Sequence, residues 1–165
     1  QGGNIAGNEL NKYHYEKPAP DFVMGLSSTL RYKKFDAALS ARVNIGNYVY
    51  NNVASDRAVY SSLYNQSGYF NNLPTQVNNT KFNTPQYWSD FYIENASFFR
   101  LDNVSVGYNF NELFNQKIDA RFSFTVQNAF VITKYNGLDP EVDGGIDNNF
   151  YPRARTFVFG VNLNL

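Results

Sequence analysis

The chain has 165 residues, the length of one ordinary domain, and 43% of them are hydrophobic, which excludes disorder as its dominant state. Fourteen basic residues balance 14 acidic ones, which excludes a basic face for nucleic acid, and the lack of cysteine excludes a disulfide framework and any thiolate metal site. Aromatics make up 18% of the chain and charged residues only 17%, with 15 Phe and 13 Tyr, a composition rich in strand formers and in rings suited to interfaces.

The opening QGGNIAGNEL is loop-like, and residues 1–21 are expected to form an outer loop. No charged start with an apolar core and a small-residue cleavage site is present, and no apolar run approaches the ~20 residues of a spanning helix. A hairpin follows over 22–46. In FVMGLSSTLRYK (22–33) Phe22, Met24, Leu26, Leu30 and Tyr32 alternate with Gly25, Ser27, Thr29, Arg31 and Lys33. In FDAALSARVNIG (35–46) Phe35, Ala37, Leu39, Ala41, Val43 and Ile45 alternate with Asp36, Ser40, Arg42 and Asn44. Lys33-Lys34 is the tight turn between them.

Residues 47–97 form a long excursion. Within it, 49–64 has Val49, Val53, Val59 and Leu63 at loosely helical spacing, with Ser55 or Asp56 placed to cap a turn. Residues 65–87, rich in Asn, Gln, Thr and Pro, read as irregular loop.

The last part, 98–165, supplies three more strands. FFRLDNVSVGYNF (98–110) sets Val104, Val106, Tyr108 and Phe110 against Asn103, Ser105, Gly107 and Asn109, after a less regular start. DARFSFTVQNAFVI (119–132) sets Ala120, Phe122, Phe124 and Val126 against Asp119, Arg121, Ser123, Thr125 and Gln127. The final RARTFVFGVNLNL carries a stripe of Phe157, Phe159, Val161, Leu163 and Leu165 between Thr156, Val158, Gly160, Asn162 and Asn164.

Connections that are short at 33–34 and 111–118 but long at 47–97 and 133–154 predict an all-β, antiparallel up-and-down transmembrane barrel segment with long extracellular loops. The strands have the ~9–11 residues that a tilted spanning strand needs. The stripe ending in Leu165 would meet lipid, while Arg31, Asp36, Arg42, Asp119 and Arg121 would face a wet interior. Two alternatives stand beside this: a soluble β-sandwich carbohydrate-binding module, and a small barrel completed by oligomerisation. A loop as long as 47–97 argues against the compact sandwich.

No catalytic constellation is evident. His14 is the single histidine, and no P-loop or strand followed by a GxGxxG is found. DPEVDGGID places Asp139, Glu141, Asp143 and Asp147 at calcium-loop positions 1, 3, 5 and 9, but Phe150 replaces the bidentate Glu of position 12, so no metal or other cofactor is assigned. Tyr48, Tyr50, Tyr60, Tyr64, Tyr69, Phe70, Tyr87 and Trp88 crowd the long excursion. Packing within the loop and an interfacial girdle are preferred for them over sugar stacking or a protein contact.

Three ordered blocks resemble the carboxy-terminal end of SusC/RagA-type TonB-linked outer-membrane proteins. The first is SFFRLDNVSVGYNF, with Arg100, Leu101, Asn103, Gly107 and Tyr108. The second is VQNAFVITKYNGLDPEV, with Asp139, Pro140 and Glu141. The third is the YPRARTFVFGVN ending, with Arg155 and Thr156. The resemblance implies a non-enzymatic carboxy-terminal piece of a much larger importer of glycan or peptide oligomers. It implies as partners the outer-membrane lipid, the rest of the barrel and its plug, a SusD-like surface lipoprotein, TonB acting through an amino-terminal part, and the barrel-assembly machinery. Leu165 stands where the family ends in an aromatic, which is expected to weaken reading of the last strand by that machinery.

Overall fold

The computed structural model describes residues 13–64, 68–112, 118–148 and 151–164. In chain order its elements are β1 (Phe22–Tyr32), β2 (Phe35–Ile45), β3 (Tyr48–Asn51), α1 (Asn52–Arg57), α2 (Val77–Thr80), β4 (Ile93–Asn95), β5 (Phe98–Glu112), β6 (Ile118–Thr133), β7 (Ile146–Asp147) and β8 (Thr156–Asn164), with 3₁₀ turns at Tyr60–Leu63, Asp90–Tyr92 and Asp143–Gly145. They fall into two compact units.

The sheet unit holds β1, β2, β5, β6 and β8, ordered as written and antiparallel at every pairing. All five strands were legible as alternation, because one face of each is apolar but for Ser28 of β1. Tyr32 pairs directly with Phe35, so Lys33-Lys34 closes a two-residue hairpin, and Lys33 takes the left-handed φ of 54° that this turn demands.

The irregular start of the third long strand is a β-bulge. Ser40 and Ala41 of β2 are adjacent, yet their partners on β5 are Asn103 and Leu101, which leaves Asp102 as the extra residue. That insertion shifts the side-chain parity by one. Phe99 and Leu101 before it thus share a face with Val104, Val106 and Tyr108 after it.

The loop unit gathers the described part of Gln1–Pro20 with Gly46–Ala96 and Tyr135–Tyr151 around a second, three-stranded sheet ordered β4-β3-β7. Of the stretch 49–64, whose spacing is loosely helical, Asn52–Arg57 is helix and Tyr60–Leu63 a 3₁₀ turn, but the first residues are not helical. Tyr48–Asn51 is a strand, antiparallel to β4 and parallel to β7, so pairing with segments far along the chain overrides the local spacing. The helix starts only at Asn52. Its cap is Asn51, whose side-chain oxygen accepts from Ala54 N at 2.9 Å, and neither Ser55 nor Asp56 takes that role. Within 65–87, described in part, residues 77–80 form one turn of helix.

The two units bury different things. Val49, Ala96 and Tyr135 form one small core with Val142 packed on it, and Ala54, Ala58 and Tyr92 form a second with Tyr50. Both lie in the loop unit. The sheet unit has no comparable apolar core among the described residues, and β1 is exposed along its whole length.

Candidate functional site

The register divides the five-stranded sheet into two chemically distinct faces. Phe22, Met24, Leu26, Leu30 and Tyr32 of β1 pair with the odd-numbered residues of β2, and the series continues through Val104, Val106 and Tyr108 of β5 and Phe122, Phe124 and Val126 of β6 to Phe157, Phe159, Val161 and Leu163 of β8. Ser28 is the one paired residue on this face that is neither apolar nor aromatic. The face is uncovered, with Leu30 67% and Phe159 79% exposed. Rings run in a chain near the Lys33-Lys34 end, where Phe35 meets Tyr108 at 4.6 Å, Tyr108 meets Phe110 at 4.4 Å and Phe110 meets Phe122 at 5.4 Å. Toward the other end Phe124 contacts both Phe157 and Phe159.

The opposite face is polar and organised by ion pairs. Arg121 of β6 reaches across β5 to Asp36 of β2, its Nε and Nη2 donating to the two carboxylate oxygens at 3.1 and 2.5 Å. The pair passes directly over Gly107, where a Cβ would fall within 2.8 Å of both partners. Glycine at that point is what lets strands two places apart join. Further along, Arg42 forks onto Asp102, with Nε and Nη2 donating at 2.8 and 2.9 Å, so the bulge residue is held by its own side chain. Thr125 donates to Ser105 at 3.0 Å between these pairs.

Arg100, only 2% exposed, lies over the Phe98 ring and donates to Asn128 Oδ1 at 2.8 Å. Asn128 has the left-handed φ of 50°, and its Nδ2 donates to the Arg153 carbonyl at 2.6 Å. One asparagine thereby ties β5 to the segment leading into β8.

In the loop unit Glu94 is a hub. Asn51 Nδ2 donates to one of its oxygens at 3.1 Å, and Asn136 donates to the other through its backbone N at 2.9 Å and its Nδ2 at 2.8 Å. The Tyr135 hydroxyl donates to the buried Asp147 at 2.7 Å. Burial, and then the neighbouring carboxylate, hold that phenol well above its ordinary pKa. The acidic loop is accordingly dispersed. Asp139 Oδ1 accepts from Glu141 N at 2.9 Å in a local turn, Pro140 is fully buried, and Asp147 faces Tyr135.

The excursion's aromatics are partly self-packed. Tyr50 stacks on Trp88 and accepts from its backbone N, and Tyr64 tilts against Phe70. Tyr64, Tyr69, Phe70 and Trp88 nonetheless remain more than 70% exposed.

The residues singled out from sequence therefore sit in three places. Leu101 and Tyr108 lie on the apolar face, paired with Phe130 and Phe122, alongside Phe157, Phe159, Val161 and Leu163. Arg100, Asn103, Gly107 and Thr156 lie on the polar face, and Arg155 is exposed just ahead of β8. Asp139, Pro140 and Glu141 belong to the loop unit. Leu165 and Phe150 lie outside the described residues. Sequence reasoning missed Asp102 as a bulge, Asn128 as a tie and Glu94 as a hub. Only the parity break between Leu101 and Val104 signalled any of them.

No family model matches the chain. It is 43% identical, over 99% of its length, to the TonB-dependent receptor SusC of Bacteroides thetaiotaomicron, of which it spans 17%. It is 33% identical, over 88% of its length, to the TonB-dependent receptor P3 of Formosa agariphila, of which it spans 16%. Its fold is similar to the RagAB peptide importer in the 'open-open' state, with a TM-score of 0.70 at 21% identity, covering 91% of this chain and 18% of that one. It is similar also to the RagAB peptide transporter, with a TM-score of 0.69 at 25% identity, covering 88% and 17%. The chain thus spans less than a fifth of the curated relatives it matches, and by sequence and fold together it belongs to the SusC/RagA-type TonB-linked outer-membrane proteins as a segment of their larger β-barrel.

Proposed function

We propose that this chain forms wall and outer loops of a TonB-dependent importer that takes up glycan or peptide oligomers with a SusD-like lipoprotein partner. The observation that carries the reading is the division of the sheet: one face apolar across all five strands, the other laced by Asp36–Arg121 and Arg42–Asp102. An uncovered apolar face is stable against hydrocarbon, and ion pairs of this kind are stable against a watery lumen. Phe157, Phe159, Val161 and Leu163, with Leu165 continuing their stripe in sequence, would meet lipid and carry the closing strand to its neighbour. The hairpin turn at Lys33-Lys34 would lie on the periplasmic side and the long connections 47–97 and 133–154 outside, where oligomers arrive. TonB and the plug would act through the part of the receptor outside this chain.

Two adjacent substitutions on β8 test the facing. Phe159→Arg puts a charge on the apolar face, at a cost of roughly 2–4 kcal/mol at the bilayer midplane. Val158→Arg puts it on the polar face, opposite Thr125. The whole receptor carrying Val158→Arg is expected to reach the outer membrane as a heat-modifiable folded species, and the receptor carrying Phe159→Arg to fail. Equal assembly of both would overturn the lipid-facing wall and with it this reading.

A further inference from the structure

The loop unit contains a cavity of about 460 Å³, within the size range of small-ligand sites. Its lining joins apolar surface from Val53, Pro74 and Leu138 to a few polar groups. Arg57, the last residue of α1, is the only cation among the lining residues, and it also borders a neighbouring cavity of about 520 Å³ whose lining includes Asp56, Ser62, Tyr64 and Asn71. Its guanidinium has no hydrogen-bond or ion-pair partner among the described residues. The adjacent acid, Asp56, accepts instead from the Tyr87 hydroxyl at 3.1 Å. The one acid in the first cavity's lining, Asp147, is 3% exposed and receives the Tyr135 hydroxyl, so little of its charge faces a ligand.

A second feature of the wall asks for a donor. The side-chain oxygen of Gln76 is buried and has no hydrogen-bonding partner, which folded proteins rarely tolerate without a reason. The lining thus offers a forked cation for an anion, and a turn of the Gln76 side chain would bring its enclosed, unmet oxygen to an N–H or O–H of a ligand. A guanidinium fork matches a carboxylate bidentately, and the apolar part of the lining accommodates the ligand's carbon frame.

We infer that this cavity binds a carboxylate that carries neighbouring N–H or O–H donors, the chemistry shared by the carboxy-terminus of a peptide and a sugar acid. The inference rests on the importer reading and adds a selectivity to it: oligomers with an acidic end are held by Arg57, and neutral ones are not. Because Arg57 borders both cavities, a longer ligand can lie beyond it toward Ser62 and the exposed Tyr64 ring.

The test uses the whole receptor in detergent and measures binding of trialanine, its carboxy-terminal amide, glucuronate and the methyl ester of glucuronate. One acid is expected to bind at least about tenfold more tightly than its neutral counterpart. Arg57→Gln should abolish that preference, Arg57→Lys should keep part of it, and Gln76→Leu should weaken the acid and the neutral form alike. Whichever acid is preferred assigns the source. Failure of both acids to bind, equal binding of acid and neutral forms, or a preference that survives Arg57→Gln would each overturn the inference. Detergent binding needs neither TonB nor membrane assembly, so these outcomes are independent of the β8 substitutions, and the wild-type comparison stands even if a variant fails to fold.

Discussion

At the scale of single residues, two positions show why side chains of one kind are needed. Gly107 lies beneath the Asp36–Arg121 pair, and an added Cβ would force the two partners apart. Gly107→Ala is therefore expected to lower receptor stability by about 1–3 kcal/mol, as overpacking does. Gly25 on the same polar face has nothing within 4 Å of its would-be Cβ, so Gly25→Ala should leave the denaturant midpoint unchanged. Equal midpoints for the two variants would show that the Asp36–Arg121 pair does not depend on the space above Gly107. Tyr135 makes a pH-dependent prediction in the loop unit. Its phenol is held above its ordinary value by burial and by Asp147, so the neutral form is the folded one. Stability from this group is fully present below the unfolded value of about 10 and is lost as pH rises through the raised folded value. Nicking of 133–148 by an alkali-tolerant protease should accelerate above about pH 10 in the wild type. Tyr135→Phe, which leaves the buried Asp147 without the hydroxyl, should already be nicked faster at pH 8 and show less of the alkaline rise.

At the scale of elements, the bulge at Asp102 separates backbone count from side-chain chemistry. Deleting Asp102 shifts the parity of one half of β5. If the first half moves, Phe99 and Leu101 turn to the polar face, and Arg100 turns to the apolar one. An arginine there costs roughly 2–4 kcal/mol in lipid, and no folded receptor is expected in the outer membrane. Asp102→Ala keeps the count and loses only a partly exposed ion pair with Arg42, worth about 0.2–1 kcal/mol, so assembly should persist. Loss of both variants alike would shift the explanation from register to the ion pair. The same contrast marks how far the chain was legible. The long strands were plain because nine or more alternating residues leave a period of two that a tight turn or a bulge only interrupts. The three-stranded sheet of the loop unit was not, because strands of two to four residues have no measurable period and Tyr50 finds Ile146 almost a hundred positions away. Val49 and Val53 did lie four apart as a helix requires, but Tyr48–Asn51 gained more from pairing with β4 and β7 than from a first helical turn. Glu94 and Asn128 act through partners remote in sequence, and no spacing announces such ties.

For the whole molecule, the sheet's two outer strands decide what the chain can do by itself. Among the described residues β1 and β8 each pair on one side only, so two rows of backbone groups as well as an apolar face await partners. Eight strands are about the fewest that close a membrane barrel, and five leave those rows open. The relatives, of which this chain spans 17% and 16%, are long enough to hold the further strands that such edges need. Expressed alone in water, residues 1–165 should therefore associate through Phe22, Leu30, Phe157 and Phe159 and the strand edges, since exposed apolar patches of this extent drive aggregation. Detergent should disperse the apolar contacts but not satisfy the edges, so small oligomers paired strand to strand are expected in micelles. Light scattering after gel filtration, with and without detergent, reads both outcomes. A monodisperse monomer in plain buffer would mean that the apolar face is covered from within the chain, which would restore the soluble sandwich and remove the physical case for a lipid-facing wall.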